Sequence, residues 1–166
     1  MPFAHQPVDI MLKPHQLILT FWLLLIATGA IAGPLPTAPK IAAESFLLID
    51  YATQQVLVEQ DADKQVEPAS LTKLMTAYVV FDEIRQGHIA LDDQVLISEK
   101  AWRTGGSRTF VEVDTEVSVE TLLQGMIIQS GNDASVALAE FVAGSEDSFA
   151  DYMNRYAEQL GMNGSH

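Results

Sequence analysis

The sequence predicts an α/β fold with an unfinished sheet. Two strand-like runs, Ser45–Asp50 and Gln55–Glu59, are joined by Tyr51-Ala52-Thr53-Gln54 and read as a hairpin. Most of the chain after them shows the three-to-four residue spacing of helices. The 166 residues end before further strands could complete a β layer.

The elements follow in chain order. Residues 1–32 read as an export signal: Lys13 and His15 give a basic start, Leu17 to Ala32 is uncharged and mostly apolar, and Ala30-Ile31-Ala32 supplies the small-x-small cleavage site. The apolar run is shorter than the roughly 20 residues that span a bilayer, and Gly33-Pro34-Leu35-Pro36 breaks it. Met11-Leu12-Lys13 would serve equally well as a signal start. Residues 33–42 are expected to form a flexible lead-in and 43–166 one modest domain, outside the cytoplasm.

Beyond the hairpin, Pro68 precedes a helix from Ser70 to Ile84, with apolar residues at 71, 74, 75, 78, 81 and 84 and a stop at Gly87. Lys73 is the only charge between Ser70 and Phe81, so most of this helix is expected to be buried. Short strands are predicted at Gln94 to Ile97 and Thr109 to Val113, with Gly105-Gly106 as a turn. Ser118 caps a helix carrying Leu122, Leu123, Met126 and Ile127 on one side. Ser130-Gly131-Asn132 interrupts it, and a second apolar helix runs from about Asp133 to Val142. A last helix starts at Ser145, turns Phe149, Met153, Tyr156 and Leu160 inward, and stops at Gly161.

Composition excludes several functions. The net charge of −13 comes from scattered acids, which repel nucleic acid. Cysteine is absent, so the core holds without disulfides. There is no Gly-x-Ser-x-Gly elbow, no His-Glu-x-x-His and no glycine-rich phosphate loop. His88 reads as a solvated residue at a helix end, and Trp102 as packing.

Two clusters carry chemistry. Ser70-Leu71-Thr72-Lys73 places a lysine on the same helix face as a serine three residues earlier. A neutral lysine can take the hydroxyl proton and make the serine a nucleophile. Burial and the positive end of the helix dipole both favour the neutral form, and a helix start offers an N–H to a developing oxyanion. Ser-x-x-Lys alone is uninformative, since a chain of this length holds about one by chance; its bland reading is a capping serine and a surface lysine. Ser130-Gly131-Asn132 is rarer, at about 0.03 chance occurrences, although Gly and Asn also suit a plain turn. Together, in this order behind an export signal, they point to acyl transfer.

Glu67-Pro68-Ala69-Ser70-Leu71-Thr72-Lys73-Leu74-Met75-Thr76 and Gly125-Met126-Ile127-Ile128-Gln129-Ser130-Gly131-Asn132-Asp133-Ala134 closely resemble the low-molecular-mass penicillin-binding proteins, the serine-type D-alanyl-D-alanine carboxypeptidases of peptidase family S11. The similarity runs from about Ala43 to the end, through Gly105-Gly106-Ser107-Arg108 and Leu160-Gly161-Met162. It implies a β-lactamase/transpeptidase-like fold, here cut short after the hairpin and helical region. It implies that Ser70 forms an acyl-enzyme with a peptidoglycan stem peptide ending in D-Ala-D-Ala, that Lys73 accepts the proton, that Ser130 relays it to the departing D-alanine and that Asn132 holds the substrate amide. β-Lactams would acylate the same serine, with no cofactor and no nucleic-acid partner. The family works in the bacterial periplasm, at the outer face of the inner membrane, which it meets through a C-terminal region.

The sequence departs from that pattern. Thr109 and Asp114 stand where a methionine and a turn glycine are expected, and the Lys-Thr-Gly strand that binds the substrate carboxylate is missing. A non-catalytic remnant, at most a weak binder of envelope peptides, is therefore the alternative. A β-lactamase-like relative is disfavoured because no acid can be singled out to drive deacylation.

Overall fold

The computed structural model describes residues 38–166; the expected signal at 1–32 and the first part of the lead-in lie outside the described residues. Residues 38–42 are exposed and carry no regular structure. The described residues divide into two compact units, the first ending at Gln60 and the second spanning Asp61–His166.

In the first unit, β1 (Phe46–Ile49) and β2 (Val56–Gln60) form the expected antiparallel hairpin. Leu48 pairs with Val58 and Ile49 with Val56, so Leu57 is the extra residue of a bulge. The turn is held by Asp50, whose Oδ1 accepts from Thr53 N and Thr53 Oγ1, both at 2.8 Å, while Gln54 takes a left-handed φ of 59°. Leu47, Leu48, Ile49, Val56 and Leu57 are all exposed.

The second unit is helical. A single 3-10 turn (Ala69–Leu71) leads into α1 (Thr72–Gln86), followed by β3 (Gln94–Leu96), α2 (Glu99–Arg103), β4 (Glu116–Ser118), α3 (Val119–Gln129), α4 (Asn132–Ala143) and α5 (Glu146–Gln159). Serine caps start three of these helices by accepting a backbone N–H: Ser98 from Ala101, Ser118 from Thr121 and Ser145 from Ser148. Gly87 and Gly144, at φ 77° and 80°, close α1 and α4 in the left-handed region that glycine enters without penalty.

α4 is the centre of this unit and packs against α1, α2, α3 and α5. Its small residues Ala134, Ala137 and Ala139 let the neighbours approach, and Leu138 is fully buried among them. Leu122, Met126, Val79, Val80 and Ile97 complete the core. Truncating a fully buried leucine such as Leu138 to alanine costs about 2–5 kcal/mol.

The structure corrects four expectations. Thr109 to Val113 is not a strand; β3 pairs instead with β4, Val95 opposite Val117. The amides of Thr109, Phe110 and Val111 point at the carboxylate of Asp133 and so cannot join a ladder. α1 is buried on one side only: Thr76, Val79 and Val80 are enclosed, whereas Leu71, Leu74, Tyr78 and Phe81 of the predicted inward face are exposed. α1 packs against α3, α4 and α5, and the face it turns to them is 76-79-80, with Met75 and Ile84 partly buried beside it. Ile127 and Leu160 are also exposed, at the outer edges of α3 and at the end of α5.

Candidate active site

Ser70 sits in the 3-10 turn ahead of α1 and is exposed. The residue before it, Ala69, has a φ of 46°. A left-handed non-glycine residue costs about 1–2 kcal/mol, so the turn carrying the serine is strained. Lys73 follows in the first turn of α1 and is half-buried.

The Lys73 ammonium gathers the predicted residues. Nζ donates to Asn132 Oδ1 at 2.6 Å, to Ser130 O at 2.8 Å and to Ser130 Oγ at 3.1 Å, and it lies 3.5 Å from Ser70 Oγ. An ammonium has three hydrogens for these four acceptors. The Ser70 contact is at the outer limit of a hydrogen bond, so in this state Lys73 is committed mainly to the Ser130–Asn132 turn. Burial lowers its pKa, and the charge of Asp133 works in the opposite direction.

The turn between α3 and α4 is equally determined. Ser130 ends α3 in the left-handed region, at φ 57°. Asn132 opens α4, and its backbone N–H donates to Ser107 O at 2.7 Å. Its side chain has one arrangement that pairs both ends: Oδ1 to the Lys73 ammonium and Nδ2 to Gly105 O at 2.7 Å. Gly106 permits this, because a Cβ there would lie 2.6 Å from Asn132 Nδ2 and its φ is 86°.

Asp133 is the residue that sequence reasoning left without a role. It is fully buried, yet it accepts from four amides: Thr109 and Ala134 through Oδ1 at 2.8 and 2.9 Å, Phe110 and Val111 through Oδ2 at 2.8 and 3.4 Å. Burial alone would raise its pKa, but the amides outweigh that and hold it below the ordinary carboxylate value. Arg108 Nε stands 3.8 Å from Oδ2. A lone acid beside Asn132, followed by Ala134, Val136, Ala137 and Leu138, was the available signal, since an apolar helix buries a charge only where partners await it.

An open groove of about 740 Å³ runs from Ser70, Lys73 and Asn132 along α4 and α5 past Ser135 and Phe149 to Glu146 and Asp147. Glu146 is paired with Lys100 at 2.5 Å. His88, outside the groove, is exposed and pairs with Glu83 at 2.7 Å, and Trp102 is half-buried against the core. Among the described residues no group of His, Cys, Asp and Glu is arranged to hold a metal ion. No described helix is long and apolar enough to cross a membrane.

The chain as a whole has relatives of known family. Residues 33–166 match the family profile described as D-alanyl-D-alanine carboxypeptidase. The chain is 44% identical over 148 residues to the D-alanyl-D-alanine carboxypeptidase DacC of Escherichia coli (strain K12), covering 86% of this chain and 37% of that protein. It is 39% identical over 149 residues to DacF of Bacillus subtilis (strain 168), covering 88% and 38%. The crystal structure of the D-alanyl-D-alanine carboxypeptidase DacD from Francisella tularensis superposes with a TM-score of 0.78 at 39% identity, over 86% of this chain and 34% of that one. Penicillin binding protein 5 from Haemophilus influenzae does so with a TM-score of 0.72 at 43% identity, over 76% and 38%. The chain thus spans about a third of the length of these relatives. On that match, and on a partial α/β domain of the same fold, the chain belongs to the D-alanyl-D-alanine carboxypeptidase family, the serine-type S11 peptidases.

Proposed function

We propose that the whole protein to which this chain corresponds is an exported serine-type D-Ala-D-Ala carboxypeptidase, acting in the bacterial periplasm on peptidoglycan stem pentapeptides, and that β-lactams acylate its nucleophile. The observation that carries the reading is the single ammonium of Lys73 within reach of Ser70 Oγ, Ser130 Oγ and Asn132 Oδ1 at once.

In this reading the neutral Lys73 amine takes the Ser70 hydroxyl proton as Oγ attacks the carbonyl carbon of the penultimate D-alanine. The peptide C–N bond breaks, and the departing amine takes a proton from Ser130 Oγ, which Lys73 replenishes. Water then hydrolyses the Ser70 ester and releases the shortened peptide. Asn132 holds the substrate amide, and its contact with Lys73 keeps the base beside both hydroxyls. The half-burial of Lys73 supports the base role, because desolvation favours the neutral amine. No step calls for a cofactor. Export rests on residues 1–32, and membrane association on a C-terminal region beyond this segment.

The test is labelling with a fluorescent penicillin in a complete protein containing this segment. Ser70→Ala removes the label, and Lys73→Ala slows labelling by about 10²–10⁴-fold, the usual contribution of a positioned base. Label retained in Ser70→Ala rejects the nucleophile.

A further inference from the structure

Asp133 is an expensive residue to keep. An ionised carboxylate removed from water survives only where hydrogen bonds and charge replace its hydration. Here four amides do so, and three of them belong to a loop more than twenty residues earlier in the chain. The same loop supplies the Gly105 and Ser107 carbonyls that grip Asn132. Gly131 sits between the two segments, where a Cβ would lie 2.0 Å from Thr109 Oγ1 and 2.9 Å from Asp133 Oδ1.

We propose that Asp133 is a positioning residue for the Lys73 centre: its carboxylate clamps the 105–111 loop onto the Ser130–Asn132 turn, and so holds Asn132 against Lys73. Because the clamp is also a fixed negative charge behind Asn132, it keeps Lys73 from losing its proton too readily in a site that burial has made hostile to charge. The inference rests on Lys73 being the base of the proposed reaction, but it concerns the proton affinity of Lys73 and not turnover.

The other charges round this centre are few. Arg108, on the clamped loop, lies beside Asp133 and offsets part of its charge. Across the groove α5 presents Glu146, which Lys100 holds, and Asp147. α3 presents the neutral Ser130.

The experiment follows acylation of each lysine by acetic anhydride against pH, read by mass spectrometry on a complete protein containing this segment, at micromolar concentration. Lys40, in the exposed lead-in, is the internal reference. In Asp133→Asn the reactivity midpoint of Lys73 falls, the direction expected when an opposite charge is removed, while Asp147→Asn leaves it in place. Arg108→Gln moves it upward. An unmoved Lys73 midpoint in an Asp133→Asn chain with native near-ultraviolet circular dichroism overturns the proposal, and so does a fall of the same size in Asp147→Asn. If Asp133→Asn does not fold, Arg108→Gln decides: an upward shift supports the proposal and an unmoved midpoint rejects it. A chain in which Ser70 is never acylated would refute the proposed function yet leave this titration readable.

Discussion

Lys73 Nζ and Asn132 Oδ1 lie 2.6 Å apart although 59 residues separate them in the chain. The contact joins the start of α1 to the start of α4, the helix round which the second unit packs. A charged hydrogen bond of this length is of the strong kind, so the base is oriented by the core helix itself. Asn132→Ala removes that acceptor and the Gly105 tether together. It is expected to slow penicillin labelling of a complete protein while Ser70 remains the labelled residue; unchanged labelling kinetics would show that Lys73 is positioned without it.

Ser130 holds a left-handed conformation with a side chain that gains nothing from it sterically. Ser130→Gly relieves about 1 kcal/mol of backbone strain, whereas Ser130→Ala keeps it. Both remove the hydroxyl. Ser130→Gly is therefore expected to melt higher than Ser130→Ala, and both to lose D-alanine release in a complete protein. Release at the wild-type rate by either variant would remove Ser130 from the proton path.

Thr109 carries a hydroxyl that is buried without a hydrogen-bond partner. Leaving such a group unsatisfied costs about 1–3 kcal/mol. Thr109→Val is expected to stabilise the chain by about 1 kcal/mol, read from urea unfolding. In the opposite direction, Gly131→Ala drives a methyl into Thr109 and Asp133 and should destabilise by about 1–3 kcal/mol, the usual cost of overpacking. A neutral Gly131→Ala would mean that the 109–111 loop yields.

Asp82 ties α1 to α5. Its carboxylate accepts from Tyr156 OH at 2.5 Å, from Gln86 Nε2 at 2.6 Å and from Arg85. Hydrogen bonds from Tyr156 and then Arg85 hold its pKa below the ordinary 3.8, and the bond to Asp82 pushes Tyr156 up to about 12. The signs differ. The Asp82 contribution is present above about pH 4 and is lost as the pH falls through its depressed folded value. The Tyr156 contribution is complete below about pH 10 and is lost as the pH rises towards 12. Tyr156→Phe should lower the melting temperature by a few degrees near neutrality and flatten both slopes; an unchanged pH profile would mean that the pair is not formed in solution.

The 166-residue chain on its own is expected to unfold with weak cooperativity and to release no D-alanine from a D-Ala-D-Ala peptide. Among the described residues each sheet has two strands, and an isolated ribbon of two strands is marginal in water. The apolar hairpin residues and the outer face of α1 are exposed as well, and surfaces of that kind invite aggregation. A sharp melting transition with measurable D-alanine release would overturn this expectation.

What the sequence by itself determined was local. The hairpin, the serine starts at 118 and 145, the glycine stops at 87 and 161 and the Ser-x-x-Lys and Ser-Gly-Asn clusters follow from turn chemistry, capping and spacing within a few residues. The family was legible for the same reason, since its motifs are contiguous. Which face of α1 is buried, why Thr109 to Val113 is not a strand and what Asp133 does were decided by tertiary structure alone. Each depends on partners far along the chain: α1, with Val79 and Val80 fully buried, packs against α3, α4 and α5, and a carboxylate 22 residues on draws the Val111 amide out of any ladder. Periodicity names a face but not its partner, and a buried charge is accounted for only when the groups that solvate it are in view.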